Sequence, residues 1–197
     1  MKKIGIILLA AGASRRMGQA KQLLKINATQ TLIEHTISVA QAIPAIELVV
    51  VLGANADAIQ KKVPKEIPVS INKNWAQGMG TSLQTGLQFL LQQTPNLNAV
   101  IISVCDQPYL KPVIFEQLIS KYTNTSFPII SADYGKKIGV PALIDQQFFL
   151  QLLALKADEG ARKIIRANPS LVGTIPFPKG AIDIDTPATY QAYLNEN

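Results

Sequence analysis

Two loops of this 197-residue chain carry the residue types that phosphate chemistry needs. The first, Ala10-Ala11-Gly12-Ala13-Ser14-Arg15-Arg16-Met17-Gly18, joins small residues to two arginines, and Lys21 follows. Small side chains let a backbone approach a ligand, amide N–H groups can cradle an anion, and nearby cations balance its charge. The spacing is neither G-x-x-x-x-G-K-[ST] nor G-x-G-x-x-G, because five residues separate Gly12 from Gly18 and Lys21 follows neither directly. A phosphate or nucleotide site and an ordinary strand-to-helix turn both stay open on these grounds.

The second loop is Asp106-Gln107-Pro108, behind the apolar run Ala99 to Cys105. A carboxylate at the tip of a buried strand is well held, and Mg²⁺ takes one or two such groups and completes its shell with water and phosphate oxygens. A turn aspartate before Pro108 is the alternative. Asp183-Ile184-Asp185-Thr186-Pro187 offers two more acids, side by side on one face of an extended segment. Asp185 or Thr186 could equally cap a helix with Pro187 at its first position. Asn74 to Ser82, which includes Gly78 and Gly80, leads into a helix and can either read a base edge or simply open that helix.

Cys105 and His35 are each the only residue of their type, which excludes an internal disulfide and a clustered Cys/His zinc site. Cys105 reads as a small buried strand residue and His35 as a packing residue within a helix, so neither is given a catalytic role.

Charge is concentrated around the first loop. Lys2, Lys3, Arg15, Arg16, Lys21 and Lys25 all fall in residues 1–25 with no acid among them, whereas the remaining bases and acids cancel, leaving the whole net charge of +6 in this segment. A nucleic-acid surface more often spreads basic residues along a face with aromatics interleaved. Aromatics are only 6% of the chain and none lies in the basic segment, so no nucleic-acid partner is expected.

The elements that must hold these loops follow from apolar patterning. Ile4 to Leu9 is a short apolar run suited to a strand buried on both faces, despite the basic and apolar parts of a signal peptide at the amino terminus. Further strands are expected at Ile46 to Leu52, Val69 to Ile71, Ala99 to Cys105, 128–133 and 138–144. Thr31-Leu32-Ile33-Glu34 has capping-box spacing for a helix running toward Pro44. Other helices are expected near 55–63, 81–91, 112–121, 146–154 and 158–167, with a closing one from Pro187.

Alternation of this kind implies βαβ crossovers and a mostly parallel sheet covered on both sides, in one α/β domain over 1–197. The less regular stretch from about 126 to 180 is expected to form an insertion over the sheet. No apolar run reaches the roughly 18–20 residues of a membrane span, so no membrane partner and a cytoplasmic location are expected. In an open α/β sheet ligands bind beyond the carboxyl ends of the strands, where the two loops could share one crevice.

Leu9 to Lys21 resembles the L-A-A-G-x-S-x-R-M-G-x-x-K signature of the MobA-like nucleotidyltransferases, and within them most resembles the molybdenum cofactor cytidylyltransferases. Asn74 to Ser82 is similar to their N-x-x-x-x-G-M-x-x-S element, and Asp106-Gln107-Pro108 to their D-Q-P. Gly139-Val140-Pro141 resembles G-H-P, Asp158 to Arg162 resembles G-D-x-G-A-R, and Asp183 to Pro187 resembles D-I-D-T-P. Val140 replaces the histidine and Ala157 the glycine, both on the side expected to face the acceptor.

The resemblance implies a Rossmann-like, glycosyltransferase-A-type fold and Mg²⁺-dependent transfer of a nucleoside monophosphate from an NTP to a phosphorylated acceptor, here molybdopterin. It implies that the Ala10, Ala11 and Gly12 backbone and Ser14 lie against the nucleotide, that Arg15 and Lys21 bind the triphosphate, and that Gly80 and Ser82 help to recognise the base. Arg15, Lys21 and Asp106 become the expected catalytic residues. Asp106 and Asp185 become the metal ligands with Asp183 the second choice, and Gly139, Pro141, Asp158 and Arg162 lie on the acceptor side. The family's guanylyltransferases carry L-A-G-G at the first loop, so Ala11 leans toward CTP. A molybdoenzyme or its maturation chaperone is the protein partner such a role would call for. A different phosphorylated acceptor, or a non-catalytic carrier of nucleotide or pterin, is the rival expectation.

Overall fold

The computed structural model describes residues 2–44 and 47–196. Ile46, the expected first residue of the second strand, lies outside them, as do Ala45 and the terminal residues Met1 and Asn197 of the expected 1–197 domain. Its strands are β1 (Ile4–Leu9), β2 (Glu47–Leu52), β3 (Val69–Ile71), β4 (Ala99–Val104), β5 (Ile129–Asp133), β6 (Ile138–Asp145) and β7 (Val172–Pro176). They form one sheet in the order β3-β2-β1-β4-β6-β5-β7. The first four neighbours run parallel, as do β5 and β7, while β6 is antiparallel to β4 and β5. The helices are α1 (Leu32–Gln41), α2 (Ala56–Gln60), α3 (Met79–Gln93), α4 (Pro112–Asn124), α5 (Phe149–Leu153), α6 (Ala161–Ala167) and α7 (Pro187–Glu196). This is the mostly parallel α/β sheet that the alternation of elements implied.

Strand alternation divides the core in two. Ile6, Leu8, Val50, Leu52 and Ile101 face one side, where Ile33 and Ile37 of α1, Ile59 of α2, and Phe115 and Leu118 of α4 cover them. Ile7, Leu9, Val49, Val51, Val100 and Ile102 face the other, under Leu83, Leu87 and Leu90 of α3, Phe149 and Leu152 of α5, and Ile164 and Ile165 of α6. A sheet sandwiched this way presents the loop after β1 and the loop after β4, neighbours in register from Ile4–Ala99 to Leu9–Val104, at the same end. No helix among the described residues is long and apolar enough to cross a membrane.

The structure differs from expectation chiefly between 126 and 180. Rather than lying over the sheet, this stretch supplies β5, β6 and β7, three of its seven strands. The unforeseen β7 reads Val172-Gly173-Thr174-Ile175-Pro176, alternately half-buried and buried up to an exposed Pro176, and a proline is tolerated because the strand sits at the sheet edge. The expected helices near 55–63 and 158–167 are shorter, as α2 and α6, and the one near 146–154 opens with a 3₁₀ turn over Gln146–Phe148.

The capping box of α1 forms. The Glu34 N–H donates to Thr31 Oγ1 at 3.5 Å, and the Thr31 N–H and hydroxyl donate to Glu34 Oε2 at 2.8 and 2.7 Å. Burial works against the Glu34 charge, but the Thr31 hydrogen bonds and Lys62, 3.4 Å away, hold its carboxyl below the ordinary value of 4.5. Thr31→Ala is expected to cost about 1 kcal/mol, lowering the melting temperature by roughly 2–4 °C in a chain of this size. Because the folded pKa is depressed, the Glu34 contribution is complete above pH 4.5 and is lost as pH falls through the folded value. Glu34→Gln should therefore melt below the parent at pH 7 and converge with it in stronger acid. Parallel melting curves that never converge would count against this reading.

Candidate active site

The loop after β1 folds around two residues that tie it to itself. Gln22, 1% exposed, donates from Nε2 to the Ala10 and Gly12 carbonyls, each at 2.9 Å. Ser14 takes a left-handed φ of 54°, accepts from the Lys21 N–H at 3.1 Å and donates to Gln22 Oε1 at 3.2 Å. With the loop held by these side chains, the N–H groups of Gly12, Ala13, Ser14 and Arg15 have no hydrogen-bond partner among the described residues. An anion can take them without breaking a bond.

The loop forms one wall of a cleft of about 380 Å³. Ala10, Ala11, Gly12, Ser14, Arg15, Lys21, Ser82 and Asp106, all expected from the sequence, line it, together with Gln22 and Trp75. Gly53 at the end of β2 makes room for Trp75, because a Cβ there would lie 2.5 Å from that of Trp75. Ser82 is buried and its hydroxyl accepts from Asn72 Nδ2 at 2.9 Å.

Gly80 does not reach the cleft. Its N–H is committed to the Ala157 carbonyl at 2.9 Å, and a Cβ would lie 2.2 Å from the Lys156 carbonyl oxygen. It seats the start of α3 against the 156–160 segment. Asp158 belongs to that same segment, its Cα 3.0 Å from where a Gly78 Cβ would be.

At the mouth of the cleft the acids meet the lysine. Lys21 Nζ donates to Asp106 Oδ2 and to Asp185 Oδ1, each at 2.6 Å, and Arg16 reaches Asp185 Oδ2 at 2.8 Å. Burial alone would lower the Lys21 pKa; the charge and hydrogen bond of Asp106, then the hydrogen bond of Asp185, reverse it and keep the amine protonated. Burial also opposes the Asp185 charge, but Lys21 and Arg16 hold its carboxyl below the ordinary value. Partial burial, then the charges of Asp106 and Asp185, push Asp183 up to about 6. Ile184 anchors these acids: it is fully buried with Met17, Leu24, Ile26, Leu32 and Tyr193, and its N–H donates to the Asp106 carbonyl at 2.9 Å.

The acceptor-side residues are mixed in placement. Gly139 lies under Tyr134, 3.0 Å from the phenol oxygen to a Cβ built there, and Pro141, joined by a cis peptide to Val140, is buried in β6. Arg162 is exposed on α6, and its charge, with those of Asp183 and Asp106, acts on the Tyr134 phenol, which burial pushes up to about 12. Gln107, 2% exposed, joins this region to Asp106 by donating to Tyr134 Oη, the Val140 carbonyl and the Gly180 carbonyl at 3.1, 3.1 and 2.8 Å. Cys105 is buried with its thiol raised to about 12 by that burial, and His35 Nε2 is 3.0 Å from the Leu110 carbonyl, so both are the packing residues expected.

The acids suit a hard cation only in company. Among the described residues no group of three or more His, Cys, Asp or Glu side chains is placed to hold a metal. Asp106 and Asp185 nevertheless share one neighbour, and Asp106 Oδ1 is buried without a hydrogen-bond partner. Two carboxylates completed by phosphate oxygens and water are the usual Mg²⁺ set, so these residues fit a metal bound together with a nucleotide.

Comparison with known proteins bears on the family and the fold. Nicotine blue oxidoreductase of Paenarthrobacter nicotinovorans is 26% identical over 95% of this chain and 93% of its own length. The crystal structure of Rv0371c from Mycobacterium tuberculosis H37Rv superposes with a TM-score of 0.85 at 25% identity over 98% of both chains; a second structure of that protein is a complex with manganese. The 4-diphosphocytidyl-2C-methyl-D-erythritol synthase of Anaerococcus prevotii shares the fold, with a TM-score of 0.76 at 15% identity over 99% of this chain and 96% of its own. A model of the MobA-like NTP transferase domain matches residues 6–172, and the chain belongs to that family of nucleotidyltransferases.

Proposed function

We propose that this chain, as a single domain, is a Mg²⁺-dependent cytidylyltransferase that moves CMP from CTP to the terminal phosphate of molybdenum-loaded molybdopterin, releasing pyrophosphate. The observation that carries it is the contact of Lys21 with both Asp106 and Asp185 beside a loop of unpartnered amides. The Ala10 to Gly12 backbone lies along base and ribose, Ser82 and Trp75 bound the base, and Arg15, Arg16 and Lys21 take the triphosphate. Ala11 favours CTP over GTP.

The acceptor's phosphate oxygen attacks the α-phosphorus, a P–O bond forms, and the bond to the β-phosphate oxygen breaks to release pyrophosphate. A phosphate monoester is already anionic at neutral pH, so the chain needs no general base. Its residues position the phosphates in line and offset charge. Mg²⁺ held by Asp106 and Asp185 would supply further neutralisation of phosphate charge. Tyr134, Gly139, Pro141 and Arg162 border the acceptor, whereas Asp158 contributes through the segment behind α3.

The test is pyrophosphate release with Mg²⁺ and each of the four NTPs, with and without molybdenum-loaded molybdopterin. Release with CTP only when the pterin is present is the expected result. Release with CTP and a sugar or polyol phosphate instead would keep the transfer chemistry and replace the acceptor. Nucleotide binding without release on any acceptor would favour a carrier. The 26% identity to nicotine blue oxidoreductase supports a second reading, oxidoreduction. That reading predicts turnover of an organic redox substrate with no pyrophosphate released.

A further inference from the structure

We infer that Lys21 and Arg16 are exchangeable counter-cations of the metal acids, so that a divalent ion and a nucleoside triphosphate bind cooperatively. The inference rests on the assignment of Asp106 and Asp185 as metal ligands and extends it to the binding order and to Arg16.

Three of the four oxygens of these carboxylates are engaged by the loop's own cations. Lys21 Nζ holds Asp106 Oδ2 and Asp185 Oδ1, both at 2.6 Å, and Arg16 holds Asp185 Oδ2 at 2.8 Å. Asp106 Oδ1, buried and without a partner, is the fourth. The Lys21 side chain is only 13% exposed, so its ammonium has little access to water. Short, charge-assisted contacts of this kind are the strong class of hydrogen bond.

A divalent ion arriving alone competes with both cations for three of the four oxygens. Success would leave the Lys21 ammonium buried beside a second positive ion with no compensating partner, which is costly. A triphosphate changes the balance. It enters along the Gly12–Arg15 amides and offers oxygens to Lys21 and Arg16, which turn from carboxylate to phosphate. The freed carboxylates then face a metal that also binds the phosphates, so every charge keeps an opposite neighbour. Coupling of this form is reciprocal: metal tightens nucleotide by the factor that nucleotide tightens metal. Arg15, which lines the cleft and forms no ion pair among the described residues, is available to phosphate from the start.

The exchange makes a prediction of unusual sign: deleting a positive charge from Lys21 strengthens metal binding. Mn²⁺ binding to the full chain is measured by water-proton relaxation, without nucleotide, for the parent, Lys21→Gln and Arg16→Gln. Lys21→Gln is expected to bind Mn²⁺ about tenfold tighter than the parent, and Arg16→Gln about 2–5-fold tighter, since its pair is exposed. Asp106→Asn added to Lys21→Gln should abolish the gain. With an α,β-methylene analogue of CTP, Mn²⁺ affinity should rise by a larger factor in the parent than in Lys21→Gln.

Equal or weaker Mn²⁺ binding by Lys21→Gln would overturn the inference, as would a parent whose Mn²⁺ affinity ignores the analogue. Arg16 is 72% exposed, so Arg16→Gln keeps the fold and decides the matter if Lys21→Gln does not fold. The nucleotide-free arm is independent of base and acceptor. A failure of the CTP or molybdopterin assignment therefore leaves its result standing.

Discussion

Asp106→Asn is expected to retain the fold and lose about 10²–10³ of nucleotide-dependent pyrophosphate release, the range for removing one preorganised electrostatic contact in phosphoryl or acyl chemistry. Asparagine preserves the shape at the tip of β4 and leaves Lys21 bound to Asp185 at 2.6 Å. A collapse of stability is thus not expected, and the melting curve separates lost chemistry from lost fold. Asp185→Asn should fall in the same direction, with Arg16 released as well as Lys21. Asp183→Asn should fall least, because Asp183 makes no ion pair among the described residues. Near-parental turnover of Asp106→Asn would remove this residue from the metal site.

The largest loss of stability is expected from Gly78→Ala, at the entry to α3. Gly78 has φ of +139°, where a side chain is strained, and its Cβ would lie 2.2 Å from the Ala157 carbonyl oxygen and 2.7 Å from its carbon. The obstacle is backbone and cannot rotate aside. Backbone strain of about 1–3 kcal/mol adds to overpacking of about 1–3 kcal/mol. At roughly 2–4 °C per kcal/mol for a chain of this length, a drop on the order of 10 °C in melting temperature is the result to look for. Gly12→Ala is the control, because a Cβ there meets nothing within 4 Å. It should melt with the parent yet bind nucleotide less well, its methyl projecting where the ligand lies along the loop. A Gly78→Ala melting temperature within about 3 °C of the parent would mean that the 156–160 segment is not seated against α3 as the structure has it.

Much of the framework was legible from local patterning. Ile4 to Leu9 reads as a strand buried on both faces because every position is apolar, and its residues do divide between two cores. Thr31 and Glu34 mark a helix start because capping is a contact between residues three apart. The edge strand β7 was not legible. A five-residue segment with Gly173 and Pro176 has little strand preference of its own and becomes a strand by pairing with β5, more than 40 residues earlier. The same holds for the antiparallel insertion of β6 between β4 and β5, since pairing order is a property of distant partners.

The site divides along the same line. Residue type and spacing pointed to the glycine-bearing loop, Arg15, Lys21, Asp106 and the pair Asp183 and Asp185, because strand-end acids and loop cations are local features with few chemical uses; the preference for Asp185 within that pair came from the family resemblance. Which arginine faces the acids was decided only in three dimensions: the turn at Arg15–Gly18 sends Arg16 to Asp185, 169 residues away, and leaves Arg15 on the cleft. Gln22 as the loop's internal brace, Trp75 as a wall, and Gln107 as the link to Tyr134 likewise have no signature in their neighbours. Each is a polar or aromatic side chain whose role is set by which carbonyl or ring the fold brings near. Gly80 shows the converse. Its place in a sequence motif suggested contact with a base, and the structure adds a second demand on it, close approach to the backbone of residues 156–160. The sequence by itself determined the strands, the capped helix and the chemistry available at two loops. The tertiary structure decided which of those groups meet, because meeting depends on strand order and helix packing across the whole chain.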